Sequence, residues 1–171
     1  MLKPGIAITA AVAVFLMGTH AFAVQNDAAR EAQDRVAIEK LMWRYVRALD
    51  SFKAEEYAAT YTPDGQFGSG ASATKGREAL VKMITDLKKR NSENEAKTGQ
   101  KPAPMYHVLA NSYLEFSDKD HAHMEAYWMT VFGAAGQTNP ARVAAAGREV
   151  DELVRVNGQW LIKLRDVAPK D

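Results

Sequence analysis

Four stretches in the second half of the chain alternate apolar and polar residues, and the breaks between them are turn sequences. They run from Tyr106 to Phe116, His121 to Phe132, Arg142 to Val156 and Trp160 to Val167. Alternation with period two puts one set of side chains on a buried face and the other on a polar one. Ser117-Asp118-Lys119-Asp120 makes a polar turn between the first two, and residues 133–140 make a loop between the second and third. Asn157-Gly158 is the strongest two-residue hairpin signal in the chain, because both positions must take positive φ. The pattern predicts three or four long antiparallel strands.

The first half has the other period. Ile38, Leu41, Met42, Tyr45 and Leu49 fall at i, i+3, i+4, i+7 and i+11, one stripe of a helix expected over Asp27 to Asp50. Asp50-Ser51 ends it and can cap the next helix, since either side chain can accept from free backbone N–H groups; for Asp50 a structural cap is the expected role and a catalytic one the alternative. A short helix over Lys53 to Thr62 then closes at the turn Pro63-Asp64-Gly65, with Gln66-Phe67-Gly68 a brief strand. A third helix opens at Lys75-Gly76-Arg77-Glu78, with Ala79, Leu80, Met83, Ile84 and Leu87 as its apolar stripe. From Lys88 to Pro104 the chain turns polar, which reads as a flexible connection or a lid. Three helices followed by an antiparallel sheet give an α+β fold, with helices covering one face of a curved sheet.

The N-terminus has a different character. Lys3, an apolar run from Ile6 to Met17 and the small-x-small triplet Ala21-Phe22-Ala23 read as a cleaved export signal over residues 1–23. An uncleaved anchor is the alternative, although the run falls short of the ~20 residues a membrane span needs. Residues 24–171 then form one domain, periplasmic or secreted and free of the membrane after cleavage. Discounting Lys3, 21 basic residues face 21 acidic ones, which offers no basic face for nucleic acid. The absence of cysteine excludes disulfides, thiol catalysis and thiolate metal sites.

Several segments together resemble a known group. Asp34-Arg35, Ala37-Ile38, Leu41, Arg44-Tyr45 and Ala48-Leu49-Asp50 are similar to the first helix of the SnoaL-like branch of the nuclear-transport-factor-2-like superfamily. Tyr61, Asp64-Gly65, Phe67, Gly76-Arg77-Glu78 and the pair His107 and Asn111 continue the likeness. The ending Gly147-Arg148, Asp151-Glu152-Leu153-Val154-Arg155, Gly158, Trp160, Ile162 and Arg165 completes it, so that it runs in order through most of residues 24–171. The resemblance implies a cone-shaped α+β domain with a pocket inside the cone, often a homodimer joined through the outer face of its sheet. Relatives include scytalone dehydratase, ketosteroid isomerase, polyketide cyclases and the non-catalytic small subunits of ring-hydroxylating dioxygenases.

The resemblance also places residues. Tyr45 falls where the dehydratase and the isomerase carry a functional tyrosine, and His107 falls at one of the two dehydratase histidines. The second histidine is Trp128 here, and the aspartate beside the tyrosine is Arg47. Ser69 stands near where the isomerase has its proton-abstracting aspartate, and Glu149 where the dehydratase has an asparagine. Neither mechanism therefore carries over intact.

His107, Tyr45 and Glu149 are the candidate catalytic residues. Imidazole ordinarily titrates near neutral pH, which suits general acid–base work, but a buried structural histidine is the alternative. Tyr45 either donates to a substrate oxygen or is core on a helix stripe. Glu149 shares a strand face with Gly147 and Asp151. It is either an inward carboxylate of raised pKa or a surface acid paired with Arg148 or Arg165, and strand register decides. Trp128, Phe67, Tyr61, Asn111 and Met83 are the candidate ligand-binding residues, with plain core as the alternative for the apolar ones. His121 and His123 lie near Asp118 and Asp120 in an exposed turn, so no metal site is expected there. With no phosphate loop, nucleophile elbow or helical zinc motif, the expected chemistry is cofactor-free. The functional classes left are a lyase, isomerase or cyclase acting on a small oxygenated apolar molecule, a non-catalytic ligand-binding protein, and a structural or partner subunit.

Overall fold

The structure, a computed structural model, describes residues 9–134 and 140–170, with side chains from Asp27 onward. The expected export signal thus lies partly outside the described residues, and so does most of the loop before Pro140. The first helix, α1 (Thr9–Asp50), runs without a break past Ala23. The chain divides into two compact units, Met1–Val36 and Ala37–Asp171.

In the second unit, the predicted stripe of α1 is the core: Ile38, Leu41, Met42, Tyr45 and Leu49 are all buried. The helix stops through its backbone. Phe52 takes φ 52°, its N–H bonds to Leu49 O at 3.1 Å, and Lys53 N–H bonds to Ala48 O at 2.9 Å. Those two bonds form a Schellman motif, usually built on glycine, because a side chain in this left-handed region costs roughly 1–2 kcal/mol. Phe52 recovers part of that cost by packing against the core.

The next helix, α2 (Ala54–Ala58), has Lys53 at its N-cap position and no side-chain cap. Asp50 therefore does not cap it, contrary to expectation. Strand β1 (Tyr61–Phe67) runs through Pro63-Asp64-Gly65, which the sequence marks as a turn. The triplet is a bulge instead, lying where the pairing register shifts between Tyr61 and Gln66. A bulge tolerates proline's missing N–H, because the residue there need not donate to the ladder. Gly65 is required there, because a Cβ would lie 2.8 Å from Tyr61 Cβ and 3.0 Å from Ile162 O.

A 3-10 turn (Gly70–Ser72) and the short β2 (Thr74–Lys75) lead to α3 (Arg77–Thr98). This helix corrects the expected flexible connection, since residues 88–98 are helical and only Gly99–Pro104 link to the sheet. The second half of α3 is exposed and has no apolar stripe, so periodicity cannot reveal it. Lys, Arg, Glu and Ala sustain it through their helix propensity. Gly99 ends it at φ 66°, donating to Glu95 O at 2.8 Å.

Strands β3 (Met105–Phe116), β4 (His121–Phe132), β5 (Arg142–Val156) and β6 (Gln159–Asp166) match the alternating segments within a residue. Asn157 and Gly158 both have positive φ, 51° and 78°, as a type I′ hairpin turn demands. The sheet is curved and unclosed, with order β2-β1-β6-β5-β4-β3. It is antiparallel except where β1 runs parallel to β6. The inner face carries Ala122, Met124 and Ala126 of β4, Leu153 of β5, and Trp160 and Ile162 of β6, buried in one core with α1, α2 and α3.

Candidate functional site

Register settles which way β5 points its acids. Trp128 pairs with Gly147, Ala126 with Glu149, and Met124 with Asp151. Ala126 and Met124 are core residues, so Glu149 and Asp151 face inward with them and are 1% and 0% exposed. On β6 the inward residues are Trp160 and Ile162, and strict alternation would turn Leu164 inward next. The register shifts between Glu152 and Leu153, however, and brings Arg165 opposite Asp151, at 0% exposure. Glu149 does lie beside Arg165, but in the core and not on the surface.

Arg165 is the centre of this buried group. Its Nε and Nη2 donate to the two carboxylate oxygens of Asp151 at 2.8 and 2.5 Å, a bidentate pair. Nη2 also donates to the Met42 sulfur at 3.0 Å, so both its hydrogens are committed. Glu149 Oε1 lies 3.3 Å from the same nitrogen and gains charge attraction but no hydrogen bond. The guanidinium carbon sits 3.9 Å from the centre of the Tyr45 ring, a cation–π contact. Tyr45 packs in turn on Tyr57 and Tyr61, with ring centres 5.2 and 6.2 Å away, and the hydroxyls of Tyr57 and Tyr61 are 3.1 Å apart.

The electrostatics follow from burial. Desolvation raises the Glu149 pKa to about 7; Arg165 pulls it down and Asp151 pushes it up. Burial also raises Tyr45, against the charge of Arg165, and holds Tyr57 and Tyr61 well above the usual phenol. These tyrosines are proton donors at neutral pH. For Arg165, burial acts downward, but the charges of Asp151, Tyr45 and Glu149 and the hydrogen bonds to Asp151 together outweigh it, and the guanidinium stays ionised.

His107 belongs to a different pair. It lies on β3, the edge strand, and its backbone N–H is taken by Asp50 at 3.1 Å to Oδ1 and 3.3 Å to Oδ2. Its ring Nδ1 lies 2.7 Å from Asp50 Oδ1. A carboxylate accepts only, so it holds the proton on Nδ1 and leaves Nε2 free to accept one. Both side chains are largely enclosed, at 18% exposure for His107 and 8% for Asp50. The structure thus joins Tyr45 and Glu149 through Arg165, and joins His107 to Asp50. Asp50 is the partner that sequence reasoning missed. One signal was available: a carboxylate in the last turn of a helix opposes the macrodipole, so it needs a compensating donor.

The apolar candidates for ligand binding pack within the fold. The Trp128 indole N–H donates to Arg148 O at 3.2 Å and Val167 O at 2.9 Å, and its ring lies over Gly147. Tyr61 is fully buried, and Phe67 and Met83 pack against the core. Asn111 is exposed at the β3 bulge with φ 50°, a conformation asparagine tolerates better than most residues. His121 contacts Asp118, and His123 contacts Glu152 and Glu125. Among the described residues no group of three or more His, Asp or Glu side chains is arranged to hold a metal ion.

Residues 30–166, most of the chain, match the family model described as a SnoaL-like domain. A Novosphingobium aromaticivorans protein described as nuclear-transport-factor-2-like with a cystatin-like fold superposes with a TM-score of 0.68 at 20% identity, covering 86% of this chain and 88% of its own. A candidate scytalone dehydratase from the same organism gives 0.62 at 22% identity, covering 81% and 85%. ActVI-ORFA from Streptomyces coelicolor gives 0.67 at 17% identity, covering 80% and 95%. At these identities the likeness is one of fold. A sequence search of curated proteins returned no significant match.

Proposed function

The chain belongs to the SnoaL-like domain family, and from that premise we propose that it binds a small, partly apolar, oxygenated molecule and moves a proton on it without a cofactor. The observation that carries this reading is the 2.7 Å contact between His107 Nδ1 and Asp50. A carboxylate that orients an imidazole and holds its proton on Nδ1 leaves the other ring nitrogen placed to act as a general base. Dehydration, isomerisation or cyclisation are each begun by such a base, and the same imidazolium can return the proton to a leaving or developing hydroxyl. Tyr45 and Glu149 are tied to Arg165, so we assign the proton transfer to His107 and its orientation to Asp50.

The test is a panel of hydroxylated and keto ring compounds incubated with wild type and with His107→Gln, and read by mass spectrometry for water loss or isomerisation. Turnover by wild type that is lost in a folded His107→Gln protein supports the proposal. Binding that is equal in both proteins, with no turnover in either, overturns it.

That second outcome belongs to a rival reading, a non-catalytic binding protein. Trp128 favours it. By the family resemblance this residue replaces a second histidine, and its one polar hydrogen is already bonded to backbone.

We also propose a homodimer. Exposed Tyr106, Val108, Tyr127 and Val143 share the outer sheet face by their pairing register, and light scattering reads the mass. Export rests on Lys3, the run from Ile6 to Met17 and Ala21-Phe22-Ala23. Intact mass of the protein from its native cells tests for loss of residues 1–23. Among the described residues no helix is long and apolar enough to cross a membrane.

A further inference from the structure

The Glu149–Arg165–Asp151 group is not used by the proposed proton transfer, and its charge does not balance. Two carboxylates face one guanidinium in the core. Arg165 and Asp151 are the charged groups that act on Glu149, Ala126 is its partner on β4, and Met42 and Tyr45 of α1 meet the same guanidinium. Asp151 holds Arg165 bidentately, and the Arg165 nitrogen facing Glu149 has both hydrogens committed. With Glu149 ionised, the group carries one uncompensated negative charge away from water, an expensive state. With Glu149 protonated, the group is neutral.

We propose that Glu149 is a proton-operated latch on the seat of α1. Protonated, it lets Met42 and Tyr45 close onto β5 and β6; ionised, it sets two carboxylates against one guanidinium and loosens that packing. The latch joins three elements through contacts on one side chain. Arg165 of β6 touches Met42 and Tyr45 of α1 as well as Asp151 and Glu149 of β5. The inference does not depend on what His107 does.

The direction with pH follows from proton binding. Glu149 is raised from 4.5 to about 7 on folding, mainly by desolvation, so the folded state holds its proton more tightly than the unfolded chain does. The stabilisation is complete below pH 4.5, is lost as pH rises through about 7, and changes little above that.

The experiment is thermal unfolding of the full chain from pH 5 to 8.5, wild type against Glu149→Gln, which keeps the shape and removes the titration. The midpoint of wild type should fall by about 5–10 °C more than that of the variant across this range. Amides of Leu41–Leu49 in wild type should exchange faster at pH 8.5, after correction for intrinsic rates. Equal falls in the two proteins would overturn the latch. Should Glu149→Gln fail to fold, the carboxyl carbon of Glu149 is titrated by NMR in wild type. A midpoint near 7 upholds the proposal, and one at or below 5 overturns it.

Discussion

Asp50 holds His107 twice, accepting the backbone N–H at 3.1 Å and meeting the ring Nδ1 at 2.7 Å through the same oxygen. The two residues are 57 positions apart, on α1 and on the edge strand β3. An edge strand leaves N–H groups without a strand partner, and here one such group lets a carboxylate fix both the main chain and the ring of a single residue. The Schellman motif at Phe52 stops the helix so that Asp50 stands in its last turn.

Replacing that carboxylate tests its role. Asp50→Asn removes the charge and offers an amide hydrogen where the ring needs an acceptor. Stability should fall by about 1–3 kcal/mol, the cost of an orphaned charge-assisted hydrogen bond, as read by urea titration. Any turnover found in wild type should drop on the order of 10²–10⁴-fold, because the imidazole then carries its proton on the wrong nitrogen.

Arg165→Met removes the only cation of the buried group and leaves Asp151 and Glu149 without compensation. Breaking a buried ion pair from one side costs about 3–5 kcal/mol, so the variant should be severely destabilised in the same titration. Lys163→Met breaks the ion pair with Asp64, which lies on the surface, and should leave the midpoint almost unchanged.

Gly147 is glycine because Trp128 lies over it. A Cβ at this position would stand 2.9 Å from the indole Cζ2, and the indole is fixed by its two hydrogen bonds to backbone. Gly147→Ala should cost about 1–3 kcal/mol and shift the tryptophan emission.

Residues 88–98 separate a helix from a lid. Ser92→Pro lies within α3 and should remove helical signal from circular dichroism, since proline deletes a hydrogen bond and clashes with the preceding turn. A flexible connection would absorb the same change with no loss of ellipticity.

The long strands were legible because alternation over eight or more residues, bounded by polar turns, admits few other structures. The α1 stripe was legible for the same reason, and so was the face shared by Gly147, Glu149 and Asp151. Other features depend on partners far away in sequence. Pro63-Asp64-Gly65 is a turn by local rules and becomes a bulge only because β6 pairs beside it. Arg165 turns inward only through a register shift that alternation cannot show. Asp50 looked like a cap because capping is local, whereas its real partner lies across the fold. The second half of α3 has no buried face, and its helicity is a matter of propensity and of Gly99.

The most direct measurement is the tautomer of His107 in the wild-type full chain, read at neutral pH by long-range proton–nitrogen NMR correlation. The expected spectrum has the proton on Nδ1, in its bond to Asp50, and a bare Nε2 ready to accept. A proton found on Nε2 would contradict the assignment of His107 as a base held by Asp50, and with it the proposed chemistry.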